Sequence, residues 1–96
     1  MPTYISLLNW SQKGIEEIKE SPARLDQAKK AIKKAGGKMT HFMMTMGQYD
    51  MVVITEAPNE EVLAKVMLAI AAAGGVRSET LRAFNENEYR KIIGSL

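Results

Sequence analysis

At 96 residues, with 46% hydrophobic and 25% charged side chains and a formal net charge of only +2, the chain is bounded to a single domain over residues 1–96 with one modest core, and a disordered chain is excluded. The 13 Lys+Arg against 11 Asp+Glu leave too small a basic excess to steer nucleic acid, and the absence of cysteine removes disulfide and thiol chemistry. No apolar run is long enough to cross a bilayer, and Met1-Pro2-Thr3-Tyr4-Ile5 has neither the basic nor the apolar region of a leader, so a cytoplasmic location is expected.

Thr3 to Trp10 reads as a strand, with Ile5, Leu7 and Leu8 as its apolar content. Ser11 to Glu20 follows as a short helix carrying Ile15 and Ile18 and weakened by Gly14. Ser21-Pro22 has the chemistry of a helix start, with Ser as N-cap and Pro at the first helical position. Leu25, Ala28, Ile32 and Ala35 then recur at helical spacing, Lys29, Lys30, Lys33 and Lys34 take the solvent side, and Gly36-Gly37 ends the helix.

Lys38 to Met46 and Tyr49 to Glu56 read as two strands about a two-residue type II′ turn at Gly47-Gln48. Asn59 caps a helix from Glu60 to Ala73, and Gly74-Gly75 ends it. Val76 to Phe84 is the fourth strand, and Asn85-x-x-Glu88 opens a last short helix with Tyr89, Ile92 and Ile93. An internal repeat supports this order. Ala31-Ile32-Lys33-Lys34-Ala35-Gly36-Gly37 and Ala69-Ile70-Ala71-Ala72-Ala73-Gly74-Gly75 share an Ala-Ile-x-x-Ala-Gly-Gly ending. Two βαβ halves joined by a hairpin give an α+β ferredoxin-like sandwich, βαββαβ with an extra C-terminal helix and an antiparallel four-stranded sheet.

The hairpin register carries the oligomer expectation. A turn at Gly47-Gln48 sets Met46 opposite Tyr49, Met44 opposite Met51 and Phe42 opposite Val53 on one side of the sheet. Met43 with Val52 and His41 with Ile54 then occupy the other. Both faces of these strands are apolar, yet two helices cover only one, whereas a sheet with one face in water alternates polar and apolar residues. A second copy packed sheet to sheet, as in a dimeric α+β barrel, would cover the bare face. The alternative is that the C-terminal helix covers it.

Gly47-Gln48-Tyr49-Asp50, followed by Met51-Val52-Val53-Ile54-Thr55-Glu56-Ala57-Pro58, resembles the GYD domain family. The resemblance extends to Tyr4–Trp10, to Ser21-Pro22-x-Arg24 and to Val76–Phe84, and so spans nearly the whole chain. It implies a dimeric α+β barrel and brings no assigned reaction with it. The half from Gly47 to Thr80 also resembles the ligand-binding module of the Lrp/AsnC transcription regulators, through the Gly-x-Tyr-Asp hairpin and the Gly75-Val76 start of the last strand. Those modules form higher oligomers and bind amino acids between subunits, which implies a small ligand between subunits here. Their helix-turn-helix domain finds no room in this chain, so DNA regulation is not implied.

The candidate ligand-binding residues are Gly47, Tyr49, Asp50, His41, Arg77 and Glu79. Tyr49 offers a ring and a hydroxyl at a pocket rim and Asp50 an acceptor for a ligand amine. Their structural alternative is Gly for a positive φ, Tyr as a cross-strand packer and Asp tying down the hairpin. His41 is the only histidine and the candidate catalytic residue, a general base titrating near neutrality, or else a hydrogen-bonded structural residue. Arg77 and Glu79 share one face of the last strand and either anchor a carboxylate ligand or form an ion pair between subunits; Arg82 lies on the other face. Met39, Met43, Met44, Met46 and Met51 cluster about the hairpin and are read as core and interface filling, the alternative being a surface that adapts to varied ligands.

No metal site and no cofactor are expected, because the acids do not cluster at a ligand spacing. The leading functional expectation is a homo-oligomeric module binding a small molecule between subunits. Its partners are further copies of itself and a small ligand, and neither a membrane nor nucleic acid is among them. The alternatives are a cofactor-independent monooxygenase or isomerase acting through His41 with Asp50 or Tyr49, and a purely structural interaction domain.

Overall fold

In the computed structural model, which describes residues 1–96, the chain runs β1 (Thr3–Trp10), α1 (Gln12–Glu16), a 3-10 turn (Ile18–Glu20), α2 (Ser21–Lys34), β2 (Lys38–Met44), β3 (Met51–Glu56), α3 (Glu60–Ala72), β4 (Val76–Ala83) and α4 (Glu86–Gly94). The sheet order is β2-β3-β1-β4 with every neighbouring pair antiparallel, the ferredoxin-like arrangement expected of two interleaved βαβ halves.

The hairpin register is as expected where both strands are regular: Met44 faces Met51, Met43 faces Val52, Phe42 faces Val53 and His41 faces Ile54. A bulge between Met39 and His41 inserts Thr40 and restores the apolar alternation toward Lys38. The tight turn is corrected. Ladder pairing stops at Met44 and resumes at Met51, so residues 45–50 form a longer connection, closed by a Thr45 N–H to Asp50 carbonyl bond of 2.8 Å. Gly47 adopts φ +118° there, and Met46 points into solvent instead of pairing with Tyr49.

Two of the three expected caps are present. Asn59 Oδ1 accepts from the Val62 N–H at 2.9 Å, and Asn85 and Glu88 form a reciprocal capping box. Ser21 is the exception: it lies inside α2, and its Oγ accepts the Trp10 indole N–H at 3.1 Å instead of capping the helix. The expected helix from Ser11 to Glu20 breaks at Glu17 into α1 and the 3-10 turn. Gly14, which weakens a helix on propensity alone, is required by packing. A Cβ there would stand 2.0 Å from the Gly75 carbonyl oxygen, because α1 lies directly on the end of α3. The Lys13 ammonium donates to the Ala73 carbonyl at 3.2 Å, placing a cation at the negative end of that helix.

Both long helices lie on the sheet face built from Tyr4, Ser6 and Leu8 of β1 and Met51, Val53 and Thr55 of β3, all buried. The apolar core there is divided. One cluster joins Tyr4, Ala57 and Leu63; another joins Leu8, Met51 and Val53. Between the helix layer and the sheet is a partly open cavity of about 550 Å³. The opposite face carries Ile5, Leu7, Val52, Ile54, Met43 and Leu81, and no helix of the chain packs across it. The C-terminal helix does not cover this surplus: α4 projects from the end of β4 with Tyr89, Ile92 and Ile93 about half exposed. Arg82 anchors its start, reaching Glu88 and Glu60 at 3.7 Å each and lying 4.4 Å from the centre of the Phe84 ring. The whole measures 49 × 31 × 17 Å.

Candidate functional site

Three of the sequence-selected residues, Tyr49, Arg77 and Glu79, meet at one end of the uncovered sheet face, where β1 finishes, β4 begins and the 45–50 connection folds back. The connection is fixed by Asp50. Its N–H is shared between the Leu8 carbonyl at 2.9 Å and Asn9 Oδ1 at 3.1 Å, and its carboxylate accepts the Trp10 backbone N–H at 3.0 Å. Thr45 Oγ1 donates to the Tyr49 carbonyl at 2.6 Å. Bonded from both sides, the loop holds the Tyr49 side chain over β4, where its hydroxyl donates to Glu79 Oε2 at 3.1 Å.

A shallow pocket of about 230 Å³ results, lined by Leu7, Asn9, Tyr49, Arg77, Ser78 and Glu79. The hydrogen bond to Glu79, the charge of that carboxylate and burial together hold the Tyr49 phenol above its ordinary pKa. Arg77 forms no ion pair with any group of the chain, Glu79 included, and its guanidinium stands exposed. The pocket thus offers an unpaired fork of donors, a phenol–carboxylate pair and the apolar side of Leu7. It suits a small molecule with a carboxylate and a modest apolar or aromatic body.

The model of the GYD domain matches residues 4–93. The chain belongs to the GYD domain family. Among its relatives is a Thermus thermophilus protein described as a glutamine synthetase and cystathionine beta-lyase binding protein, 30% identical over 84 residues that cover 86% of this GYD chain and 88% of the relative. A crystal structure of a protein from Thermus thermophilus superposes with a TM-score of 0.56 at 25% identity, covering 88% of this chain and 95% of that one. A feast or famine regulatory protein from M. tuberculosis, solved with L-methionine, superposes with a TM-score of 0.67 at 13% identity over 88% of the GYD chain. This chain spans about half of that regulator, 51%, and the likeness shows the shared ferredoxin-like fold.

In this GYD chain the six candidate residues do not form one constellation. Tyr49, Arg77 and Glu79 line the pocket together. Asp50 is engaged with backbone, so Glu79 is the carboxylate the pocket presents. Gly47 is exposed at the loop tip, its left-handed φ serving the reversal of the chain. His41 lies elsewhere on the open face, opposite Ile54, exposed and hydrogen-bonded through Nδ1 to Thr40 Oγ1 at 3.0 Å. It has neither Tyr49 nor Asp50 as a hydrogen-bond partner. The five lining residues other than Tyr49 come from β1 and β4, and Leu7, Asn9 and Ser78 are not among the candidates read from the sequence. The signal for Leu7 and Asn9 was available, because antiparallel pairing of β1 with β4 sets Asn9 opposite Arg77 and Leu7 opposite Glu79.

A second polar cluster surrounds Tyr4. Its hydroxyl is buried without a partner at hydrogen-bonding geometry, and burial, reinforced by the nearby Glu60 carboxylate, holds its pKa up. The Glu60 carboxyl is held below the usual carboxylate range by its own backbone N–H at the start of α3, with Tyr4 and Arg82 adding to the effect. This cluster fastens α3 and α4 to the sheet. No group of three or more His, Cys, Asp or Glu is placed to hold a metal ion, and no helix is long and apolar enough to cross a membrane.

Proposed function

We propose that this GYD chain is a homo-oligomeric binding domain that holds a small carboxylate-bearing molecule at the Tyr49–Arg77–Glu79 pocket, between subunits. The observation that carries this reading is the position of the pocket at the edge of an apolar sheet face that no helix of its own chain covers. A second copy on that face buries Ile5, Leu7, Val52, Ile54 and Leu81 and brings its own surface over the pocket mouth, enclosing a ligand that one copy leaves half in water. Arg77 takes the carboxylate and Glu79, with the Tyr49 phenol, takes a donor such as an ammonium group. The methionine in the regulator of shared fold makes amino acids the natural first panel.

The name of the Thermus relative favours a second reading, in which the same open face receives another protein in place of a second copy. Reading His41 as a general base has less support, since Thr40 supplies the only side-chain hydrogen bond to its ring.

Native mass spectrometry and calorimetric titration separate these readings. The expectation is a dimer or larger assembly at micromolar chain concentration that binds at least one member of a panel of amino acids and small aromatic carboxylates. Arg77→Ala is expected to weaken binding tenfold or more without changing the assembled mass, since a charged hydrogen-bond partner is worth about 1.5–3 kcal/mol. A monomer at these concentrations removes the intersubunit site. An oligomer silent to the whole panel removes the ligand.

A further inference from the structure

The internal repeat of the sequence is left unexplained by the rim pocket, and it meets the cavity between the helices and the sheet. Ala31 and Ile32 of α2 and their repeat counterparts Ala69 and Ile70 of α3 all line the cavity of about 550 Å³ between the helices and the sheet. Its helix walls are kept thin by alanine: Ala28 and Ala31 on one side, Ala69 and Ala73 on the other. On its floor, small Ser6 and Thr55 separate the two apolar clusters. Longer side chains at these positions would narrow the space. The cavity is therefore a consequence of small side chains on both helix walls, of which Ala31 and Ala69 occupy matched places in the repeat.

The walls also define what the space accepts. Their polar groups are largely satisfied within the chain. Ser6 Oγ is bonded to Thr80 Oγ1 at 2.9 Å, the Trp10 indole N–H is held by Ser21, and Arg24, the one charged residue on the lining, is paired with Glu17 at 2.6 Å. Bulk water would fill the volume with on the order of 18 molecules, each needing two or more polar partners, and few are offered. Four methionines, Met39, Met44, Met51 and Met67, supply flexible and polarisable surface that adapts to a guest. A partner helix is too large: one turn with its side chains occupies roughly 400–600 Å³, so the cavity would take barely a single turn. A second copy of the chain, placed on the opposite face of the sheet, does not reach it.

We propose that this cavity is a second binding site, distinct from the rim pocket, for a neutral, largely apolar small molecule with an aromatic or branched hydrocarbon body. Access is where the exposed side chains of Ile18 and Met44 border the lining. The occupant joins the two halves of the divided core and stabilises the chain against unfolding.

The test uses the full chain and N-phenyl-1-naphthylamine, a neutral aromatic probe. Trp10 is the only tryptophan and lines the cavity, so its emission reports occupancy directly. Saturable quenching is expected at one probe per chain, with a dissociation constant in the micromolar range and a raised melting temperature. Ala28→Phe and Ala69→Phe, made separately on opposite walls, each place a ring in the space and are expected to weaken probe binding tenfold or more. Both are expected to remain cooperatively folded; should one fail by circular dichroism, the other decides. Undiminished binding in a folded filling variant would place the probe on the open sheet face and overturn the proposal. So would the absence of saturable binding, or a stoichiometry other than one per chain.

Discussion

Leu7 and Leu8 are adjacent in β1 and chemically identical, yet they belong to different regions of the molecule. Leu8 is buried, 7% exposed, in a cluster with Met51 and Val53 under the helices. Leu7 lies across the sheet among Ile5, Val52 and the charged side chains of Arg77 and Glu79, with no helix of its own chain above it. One face is a conventional core made incomplete by a cavity. The other has the composition of a core without its cover. Burial in a β-sheet is thus decided by what arrives from outside the strand, while the strand's own sequence only prepares for it.

The sharpest break of this comparison is a charge on each face. Leu8→Asp buries an unpaired carboxylate, at a cost comparable to the whole stability of a small domain, and is expected to abolish the cooperative thermal transition in circular dichroism. Leu7→Asp is expected to fold and melt cooperatively while weakening self-association at least a hundredfold by light scattering. Equal effects from the two would erase the distinction between the faces. Truncation sharpens the same contrast. Leu8→Ala is expected to cost about 2–5 kcal/mol in urea unfolding. Leu7→Ala, measured under dilute monomeric conditions, is expected to stay within about 1 kcal/mol.

At the seam between the faces, Asp50→Ala frees the Trp10 N–H and the loop that carries Tyr49, an expected loss of about 1–3 kcal/mol accompanied by weaker ligand binding. Asn59→Ala, which removes a cap on the covered side only, is expected to cost about 1 kcal/mol and leave ligand affinity unchanged. The smallest effect is alkaline. Because the Tyr49 pKa is raised in the folded chain, its contact with Glu79 is fully present below the ordinary tyrosine pKa of about 10 and is lost as pH rises through the folded value. Phenolate absorbance should show two late-titrating tyrosines, Tyr4 and Tyr49, of which Tyr49→Phe removes one. A Tyr49 titrating at or below the ordinary value would dissolve the phenol–carboxylate pair.

Much of the fold was legible because its signals are local or periodic. The hairpin register followed from centring the reversal on Gly47-Gln48, which survives the longer connection because residues 45–50 are symmetric about that pair, and the caps at Asn59 and Asn85 followed from donor geometry that needs no tertiary context. Sequence reasoning failed where a side chain had two suitors. Ser21 has the chemistry of an N-cap, but the Trp10 indole claims its oxygen from β1. Asp50 has the chemistry of a ligand acceptor, but the end of β1 offers a nearer backbone donor. Gly47-Gln48 suits a two-residue turn, but the Asp50 bonds to β1 require a wider loop. The site was half legible: Arg77, Glu79 and Tyr49 meet as a group, whereas His41 stands apart because its strand position sets it well along the β2–β3 ladder from the loop. The cavity left only one trace in the sequence, the repeated Ala-Ile pairs, and an alanine on a helix reads as filler until the opposite wall is known.

The least dimension of the molecule, 17 Å, has a consequence for exchange of amide hydrogens with solvent. A slab only one sheet and one helix layer thick has no interior remote from water. Protection must then come from ladder position, greatest in the central strands β1 and β3 and least in the edge strands β2 and β4. A second slab laid on the bare face would add protection to all four strands at once, by closing the side from which water reaches them, and would leave α2 and α4 exchanging as before. The rate map of the backbone would therefore show which side of the sheet is closed in solution, without reference to the mass of the assembly.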